Sequence, residues 1–206
     1  MEPLASKIRP KNLKEFVGQE HLVGEGKPLN IAIKQRHLFS FIFWGPPGTG
    51  KTTLAKIYAN SLNAKFYELS AVSAGKADIK KIIDEDSHGI PKVLFLDEIH
   101  RFNKSQQDFL LPYVENGVIT LIGATTENPS FEVISPLLSR CRVFVLNTLS
   151  NENMEAIIAR AGFAISKDAK DWLINMANGD ARQAITMLEN TSQLYKKITI
   201  ENLKNA

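Results

Sequence analysis

Short apolar runs alternate with amphipathic stretches between residues 40 and 147. The runs are nearly continuous, which is typical of strands buried on both faces of a sheet. Five strands are predicted, at SFIFW, KFYELSAV, KVLFLDE, VITLIGATT and RVFVL. Helical patterns separate them, such as the stretch from Gly50 to Leu62. Strands spaced by helices predict an α/β fold with a parallel sheet. In such a sheet the loops that follow the strands share one edge, and ligands bind there.

The last quarter of the chain has a different pattern. It contains three amphipathic helical stretches and no strand candidate, namely NENMEAIIARAG, DAKDWLINMANG and DARQAITMLENTSQLY. Trp172, Leu173 and Met176 have helical spacing, so they are predicted to pack in a core. The sequence therefore predicts two domains, an α/β domain at 1–149 and a small helical domain at 150–206.

Composition restricts the class of protein. The 206 residues are 44% hydrophobic, enough for one sizeable core or a core with a small lobe. The one cysteine, Cys141, cannot form an internal disulfide, which favours a reducing compartment. The chain starts without an apolar signal core, and its longest apolar stretch, LFSFIFW, is too short to cross a bilayer. We therefore expect a cytoplasmic protein without a membrane partner.

The net charge of +3 is modest and does not by itself indicate a nucleic-acid binder. The positive excess lies in residues 1–150, partly in an amino-terminal arm that holds Lys7, Arg9, Lys11 and Lys14. A solvated basic surface and a contact with a polyanion remain open as alternatives.

A glycine-rich loop follows the first predicted strand. Its sequence GPPGTGKTT fits the pattern G-x4-G-K-[ST], preceded by a strand and followed by a helix as this pattern requires. In such loops the backbone N–H groups converge on phosphate oxygens. The lysine, Lys51, reaches the β- and γ-phosphates, and the hydroxyl of Thr52 holds Mg²⁺. The predicted nucleotide-binding residues of this loop are Gly45, Pro46, Pro47, Gly48, Thr49, Gly50, Lys51, Thr52 and Thr53.

Two acids end the third predicted strand, on the sheet edge where the loop also lies. Asp97 is predicted to hold the Mg²⁺ through water, and Glu98 to orient and polarise the water that attacks the γ-phosphate. A second acid in this place favours hydrolysis over transfer to a bound acceptor. His100 is predicted to be a core or surface histidine, and Phe102 a core residue.

The base of the nucleotide is predicted to be adenine. Asn103–Lys104 invites a guanine-recognition reading, but that motif needs an aspartate two residues after the lysine, where this chain has Gln106. The acid strand also lacks the glycine of a GTPase switch, because His100 and Arg101 stand where it would fall. The predicted cofactors are therefore ATP and Mg²⁺.

Four stretches, in order, resemble the AAA+ ATPases of the clamp-loader clade: GPPGTGKTT, LFLDEIHRF, GATTENPSF and LLSRCRVF. The chain is more similar still to the replication-associated recombination protein A (RarA, also MgsA) family, related to Werner helicase-interacting proteins. This closer likeness is carried by ASKIRPKNLKEFVGQEHLVG, DEIHRFNKSQQD and GATTENPSFEVISPLLSR. The resemblance implies a P-loop NTPase core of AAA+ type, with the carboxyl-terminal helices as its lid.

The resemblance also implies roles for single residues. Thr126 resembles sensor 1, which contacts the γ-phosphate or the attacking water, and Asn128 is a rival for that role. Arg140 resembles the arginine finger that enters a neighbouring subunit's site, although the residues alone leave a surface salt bridge as the alternative. Arg182 resembles sensor 2, reaching back from the lid. A segment that lines the adenine pocket is implied for Pro10, Val17 and Gly18.

The partners follow from the same resemblance. The family acts in DNA maintenance at stalled forks and single-strand–double-strand junctions, and single-stranded DNA-binding protein is a candidate partner. Lys76, Lys80 and Lys81 begin a helix that resembles a DNA-tracking element, with a solvated face as the equal alternative. Relatives continue into a helical oligomerisation domain, so self-association is expected through a carboxyl-terminal region absent from this chain.

We therefore expect ATP hydrolysis coupled to the remodelling or engagement of DNA at stalled replication forks. Three alternatives remain. One, within the same class, is a clamp-loader subunit, which would bind a sliding clamp. Another is a nucleotide-gated scaffold with little turnover, against which Glu98 argues. The last is a P-loop kinase, against which the lack of an acceptor site argues.

Overall fold

A computed structural model describes residues 3–206. Five strands form one sheet, and every pair of neighbours is parallel. The strands are β1 (Phe41–Trp44), β2 (Lys65–Ser70), β3 (Lys92–Asp97), β4 (Thr120–Thr125) and β5 (Arg142–Val145). Their order across the sheet is β2-β3-β4-β1-β5. The predicted α/β fold with a parallel sheet is confirmed.

The α-helices of the described residues lie before, between and after the strands. They are α1 (Leu4–Lys7), α2 (Glu20–Val23), α3 (Pro28–Lys34), α4 (Lys51–Ser61), α5 (Lys76–Asp84), α6 (Lys104–Glu115), α7 (Pro129–Glu132), α8 (Ser135–Leu138), α9 (Asn151–Arg160), α10 (Lys167–Ala177), α11 (Ala181–Leu194) and α12 (Ile200–Asn205). A 3₁₀ turn, Ile99–Arg101, directly follows β3 and Glu98. None of these helices is long and apolar enough to span a membrane.

The chain divides into two compact units. One combines Met1–Gln19, Pro46–Gly50 and Asn147–Ala206, and we call it the lid unit. The other combines Glu20–Gly45 and Lys51–Leu146, and we call it the sheet unit. Short segments from the first half of the chain thus group with the carboxyl-terminal helices. A single boundary along the sequence cannot describe this division. The expected domains 1–149 and 150–206 remain a prediction.

The register of the sheet unit aligns the carboxyl ends of three adjacent strands. Trp44, the last residue of β1, lies opposite Thr125, the last residue of β4. Leu96, one residue before the end of β3, lies opposite Gly123 of β4. We call this side of the sheet the carboxyl edge, and the side where the strands begin the amino edge.

Both faces of the sheet are covered. Successive side chains of a strand point to opposite faces, so β1 contributes to both. Phe41 and Phe43 of β1 point to one face, where Phe41 packs against Tyr58 of α4 and Phe144 of β5 at ring distances of 5.1 and 5.4 Å. Ile42 points to the opposite face and joins a buried cluster under α5 and α6. That cluster includes Ile79, Ile82, Leu94, Leu96, Ile99, Phe102, Leu110 and Leu121. The core position predicted for Phe102 is confirmed.

The lid unit has its own core, formed by α9, α10, α11 and α12. Leu173 is fully buried there, and Trp172 packs against the cluster, as the helical spacing predicts. The prediction for Met176 is wrong, since this residue is 50% exposed. The helical spacing correctly identified the buried face of α10, but Met176 lies outside this face.

Candidate functional site

Within the sheet unit, the residues that flank the glycine-rich loop are fixed by backbone contacts. The amide of Gly45 donates to the carbonyl of Thr125 (3.1 Å), which extends the β1–β4 pairing by one residue. A side chain at Gly45 would collide with the carbonyl of Leu146. Lys51, the first residue of α4, is buried, and its Nζ donates to the Gly45 carbonyl (2.7 Å). Thr52 and Thr53 follow it in the first turn of the helix and are half-buried.

The middle of the loop, Pro46–Gly50, has the backbone that its glycines permit. Gly48 and Gly50 have φ angles of +68° and +98°, a region that residues with a Cβ rarely adopt. The Thr49 hydroxyl donates to the Pro46 carbonyl (2.9 Å) and closes the turn. Left-handed positions of this kind let successive N–H groups converge on an anion.

Inside the lid unit, this same segment contacts α11 and the amino-terminal arm. The amide of Ala181 donates to the Gly48 carbonyl (3.3 Å), and a side chain at Gly48 would collide with the carboxylate of Asp180, the N-cap of α11. A Cβ on Gly50 would lie 2.8 Å from the Phe16 ring. Both glycines are therefore needed for close packing as well as for their φ angles.

Arg182 lies in the first turn of α11, directly after these contacts, and its side chain is exposed. Gly18 is buried at φ +81°, and a Cβ there would lie 2.8 Å from Leu149. Gln19 fixes the same stretch by exchanging two hydrogen bonds with the Asn147 backbone (2.7 and 2.8 Å). The 16–19 stretch thus lies beside the Gly50 end of the loop. Pro10 and Val17 are half-buried in the same arm, and the adenine pocket remains a prediction.

The two acids lie at the carboxyl edge. Asp97 is the last residue of β3, one step beyond the level of Gly123, and it is half-buried. Its Oδ1 accepts from the Glu98 amide (3.1 Å). Glu98 leaves the strand with a left-handed backbone (φ 54°, ψ 44°). A non-glycine residue seldom adopts this conformation, which turns the chain sharply at the end of the strand.

One functional contact was not anticipated from the sequence. Nδ1 of His100 lies 3.2 Å from Oε2 of Glu98 and 3.0 Å from Oγ1 of Thr125. His100 is thus neither an ordinary core residue nor an ordinary surface residue, since it bridges the second acid and the end of β4. The only sequence signal is a histidine two residues after the acid, and this becomes a contact only because Glu98 is left-handed.

The two candidates for sensor 1 differ in their surroundings. Thr126 follows β4 directly and has an exposed side chain. Asn128 caps α7, because its Oδ1 accepts from the Ser130 amide (3.0 Å). An asparagine engaged as an N-cap has less freedom to follow a ligand. This difference favours Thr126, and both assignments remain predictions.

Arg140 lies at the amino edge of the sheet, two residues before β5. Its guanidinium forms an ion pair with Glu115 and donates to the carbonyl of Pro136 (2.6 Å) and the hydroxyl of Ser139 (2.9 Å). The groove beside it is lined by Phe39, Ser40 and Thr120, which flank the starts of β1 and β4. The surface ion pair that the residues alone allowed is therefore present.

The length of β1 separates Arg140 from the carboxyl edge. Four residues at about 3.3 Å each span roughly 13 Å. An arginine side chain beyond the amino end of β1 cannot bridge this length to reach Gly45 and Lys51 of its own chain. The sheet unit thus holds acids and lysine at one edge and an exposed arginine at the other.

The lysines predicted to track DNA have local partners in part. Nζ of Lys76 donates to the Ser105 hydroxyl (2.7 Å) and lies 5.8 Å from the centre of the Phe109 ring. Lys81 lies 3.5 Å from Asp78, and Lys80 is exposed. A DNA contact through α5 would have to compete with the bonds of two of the three lysines.

The sheet order, the glycine-rich loop and the strand-end acids together define a P-loop ATPase of AAA type. The family of ATPases associated with various cellular activities (AAA) matches residues 41–149, and the chain belongs to this family. Within it, the resemblance to the RarA proteins is confirmed. The chain is 46% identical to replication-associated recombination protein A of Escherichia coli K12 over 203 residues, which cover 91% of this chain and 45% of that protein.

A eukaryotic relative is equally similar. The chain is 46% identical to ATPase WRNIP1 of Dictyostelium discoideum over 201 residues, covering 91% of this chain and 23% of that protein. The chain thus spans less than half the length of these curated relatives. Among solved structures, a P216G mutant of Thermotoga maritima RuvB superposes with a TM-score of 0.79 at 29% identity, covering 96% of this chain and 72% of that one. RuvB described as a Holliday junction branch migration motor gives 0.77 at 29% identity, covering 96% and 71%.

Proposed function

We propose that the chain is the catalytic core of a protein that hydrolyses ATP with Mg²⁺ and uses the reaction to engage or remodel DNA at stalled replication forks. The observation that carries the proposal is the alignment of strand ends in the sheet unit. Trp44 and Thr125 are level, and Asp97 lies two strands from β1. With strands about 4.8 Å apart, Asp97 is roughly 10 Å from the end of β1, a spacing that accommodates a triphosphate and its metal.

The oxygen ligands of the site suit Mg²⁺, which prefers hard oxygen donors and keeps several waters. The Thr52 hydroxyl would bind it directly and the Asp97 carboxylate through water. An ion held by these residues would supply positive charge opposite the β- and γ-phosphates. Lys51 contributes a second fixed cation, which would exchange its present carbonyl partner for phosphate oxygens.

Hydrolysis needs a group that orients water in line with the γ-phosphate. In the proposed step, Glu98 accepts a proton from the attacking water, and the oxygen of that water bonds to the γ-phosphorus. The bond from that phosphorus to the bridging oxygen breaks, which yields ADP and inorganic phosphate. In this proposal Thr126, which follows β4, contacts the γ-phosphate as sensor 1, and Arg182 of the lid unit contacts it as sensor 2. Asn128 remains the rival of Thr126.

Arg140 completes the site of a neighbouring copy in this proposal. Its position at the amino edge supports this role, because the arginine is exposed and lies a strand length from its own Lys51. A guanidinium spreads charge over the equatorial oxygens of the transferred phosphoryl group. Its ion pair with Glu115 holds it at the surface until a neighbour's phosphate competes for it.

The DNA part of the proposal rests on the relatives, whose names state replication, recombination and branch migration. Forks, single-strand–double-strand junctions and single-stranded DNA-binding protein are the proposed partners, and self-association is proposed to involve regions outside this chain. Lys7, Lys11 and Lys14 of the amino-terminal arm and Lys80 are exposed cations suited to a phosphate backbone.

The proposal is tested with the complete protein that contains this chain, in a steady-state ATPase assay with and without forked DNA. Forked DNA should raise turnover above the rate without DNA. Glu98→Gln keeps the shape and leaves Asp97 intact, so ATP should still bind while turnover falls roughly 10²-fold or more. Glu127→Gln, an exposed acid at the same edge, is the matched control and should retain turnover. Unchanged turnover in Glu98→Gln would show that another group activates the attacking water.

A further inference from the structure

The ring of His100 lies close to a buried oxygen of Glu98. Oε2 of Glu98 is inaccessible to solvent and makes no hydrogen bond of good geometry. Nδ1 of His100 lies 3.2 Å away, and the two side chains are 35% and 10% exposed for Glu98 and His100. A buried carboxylate oxygen without a hydrogen bond lowers the stability of the fold. Its close approach to His100 therefore needs an explanation.

The backbone holds the two side chains in this relation. Glu98 is the left-handed N-cap of the 3₁₀ turn, whose first hydrogen bond runs from the Arg101 amide to the Glu98 carbonyl (2.8 Å). Ile99 packs this turn onto β4 at Gly123, where an added Cβ would lie 3.0 Å from the Ile99 Cδ1. The absence of a side chain at Gly123 thus allows the turn to approach β4 closely and places His100 beside Thr125.

The donor of the contact follows from the partners. The Thr125 hydroxyl accepts from the Glu127 amide (2.9 Å) and can donate to the Glu127 carbonyl (3.2 Å). With its hydrogen so directed, Thr125 only accepts from the ring. An ionised carboxylate oxygen also only accepts. A donor for these acceptors is present only in the tautomer that carries hydrogen on Nδ1. This one hydrogen bonds to Thr125, and Oε2 of Glu98 lies close enough to share it.

We propose that His100 is a positioning residue for hydrolysis: its Nδ1–H, shared between the Thr125 hydroxyl and the inner oxygen of Glu98, ties this carboxylate to the end of β4. This inference rests on the proposed function, in which Glu98 orients the attacking water. With Oε2 held, the carboxylate cannot rotate freely, and Oε1 is kept for the water. Thr125 is followed directly by Thr126, so the acid and the proposed γ-phosphate contact are joined through one histidine.

A structural role alone would predict a different pattern of variants. If His100 only filled space, any residue of similar size would serve, and stability and turnover would fall together. A positioning role depends on a donor at the site of Nδ1. Asparagine places its amide nitrogen near the site of Nδ1, whereas glutamine places it nearer the site of Nε2. His100→Asn and His100→Gln thus form a matched pair.

The experiment measures kcat, KM for ATP, nucleotide affinity and thermal stability for His100→Asn, His100→Gln and His100→Leu in the complete protein. We expect kcat to fall roughly 10- to 100-fold in the glutamine and leucine variants, as for removal of an orienting partner. The asparagine variant should keep most of the wild-type kcat, and ATP affinity should change little in all three. Equal kcat in the asparagine and glutamine variants would overturn the proposal, whether both are active or both inactive.

A double-variant cycle separates this inference from the function on which it rests. If His100 acts through Glu98, adding His100→Gln to Glu98→Gln should cause no further loss of turnover. A further loss of the same factor would show that His100 acts by another route and would refute the positioning role. If Glu98→Gln alone retains full turnover, the proposed base is wrong, whatever the histidine variants do.

Discussion

The two edges of the parallel sheet hold functional residues in contrasting ways. At the carboxyl edge, His100 contacts both Glu98 and Thr125 of its own chain, on a backbone bent by the left-handed Glu98. At the amino edge, Arg140 is exposed and held by a surface ion pair with Glu115. A preorganised group of side chains suits a reaction within one chain. A cation held only by a surface ion pair can exchange this partner for a group on a neighbouring molecule. This contrast supports the proposal that each chain offers a nucleotide pocket at one edge and an arginine finger at the other.

The largest effect is expected from removing the cation beside the loop. Lys51→Ala deletes a buried ammonium that the proposed site needs for the β- and γ-phosphates, which should cost about 2–5 kcal/mol of binding free energy, or roughly 30-fold or more in affinity. Isothermal titration with ATP and Mg²⁺ measures this directly. Lys56→Ala is the matched control on the same helix, since Lys56 pairs with Glu68 instead (2.7 Å). Equal affinity for ATP in Lys51→Ala and wild type would show that the nucleotide does not bind at the carboxyl edge.

A smaller effect is expected at Tyr58, which anchors the chain before the amino edge. Its hydroxyl donates to the His37 carbonyl (2.8 Å), and burial raises the pKa of Tyr58 to about 12. An unfolded tyrosine ionises near pH 10, so above about pH 10 the unfolded state loses its proton first. The contribution of Tyr58 to stability is therefore present below about pH 10 and is lost as the pH rises towards 12.

Tyr58→Phe lacks this titration. At pH 8 it should be less stable than wild type by about 1 kcal/mol, the worth of a typical hydrogen bond. The difference should shrink as the pH is raised to about 11. Urea unfolding at several pH values measures both quantities. A difference that stays constant with pH would show that the hydroxyl titrates alike in the folded and unfolded chains.

The smallest effect is expected from Glu115, the partner of Arg140. An exposed ion pair contributes less than about 1 kcal/mol, so Glu115→Gln should change stability little. If the pair competes with a neighbour's phosphate, releasing Arg140 should raise the turnover of the assembled protein by at most about fivefold. Adding Arg140→Ala should abolish this gain. A gain that survives without Arg140 would show that Glu115 acts on something else.

The sequence was sufficient to predict the five strands, the helices α9 to α11, the glycine-rich loop and the placement of Asp97 and Glu98 at the end of a strand, because each depends on local periodicity or on a contiguous motif. The short final helix α12 was not predicted. It was not sufficient for the contact of His100 with Glu98, which needs the left-handed backbone of Glu98. The pair between Glu115 and Arg140 joins residues far apart in the chain, and no spacing rule reaches it.

The grouping of segments was also beyond the sequence. Gly48 packs against Asp180, and Gly18 against Leu149, because these glycines leave room for distant side chains. A pattern of apolar positions identifies which face of an element is buried but not which distant element covers it. The division into Met1–Gln19, Pro46–Gly50 and Asn147–Ala206 follows from such contacts alone.

The central claim is that a pocket at one edge is completed by Arg140 of a second copy, and mixing two inactive variants tests it most directly. A Lys51→Ala chain keeps a sound arginine, and an Arg140→Ala chain keeps a sound pocket, so mixed assemblies of the complete protein contain some intact sites. The loss in Arg140→Ala should be about 10³-fold or more. Arg142→Ala is the control for folding. The guanidinium that it removes lies 5.2 Å from the centre of the Phe39 ring. We predict that titrating one variant against the other raises ATPase activity above the sum of the two alone. Activity that equals this sum at every ratio, under conditions where the protein is assembled, would contradict the account.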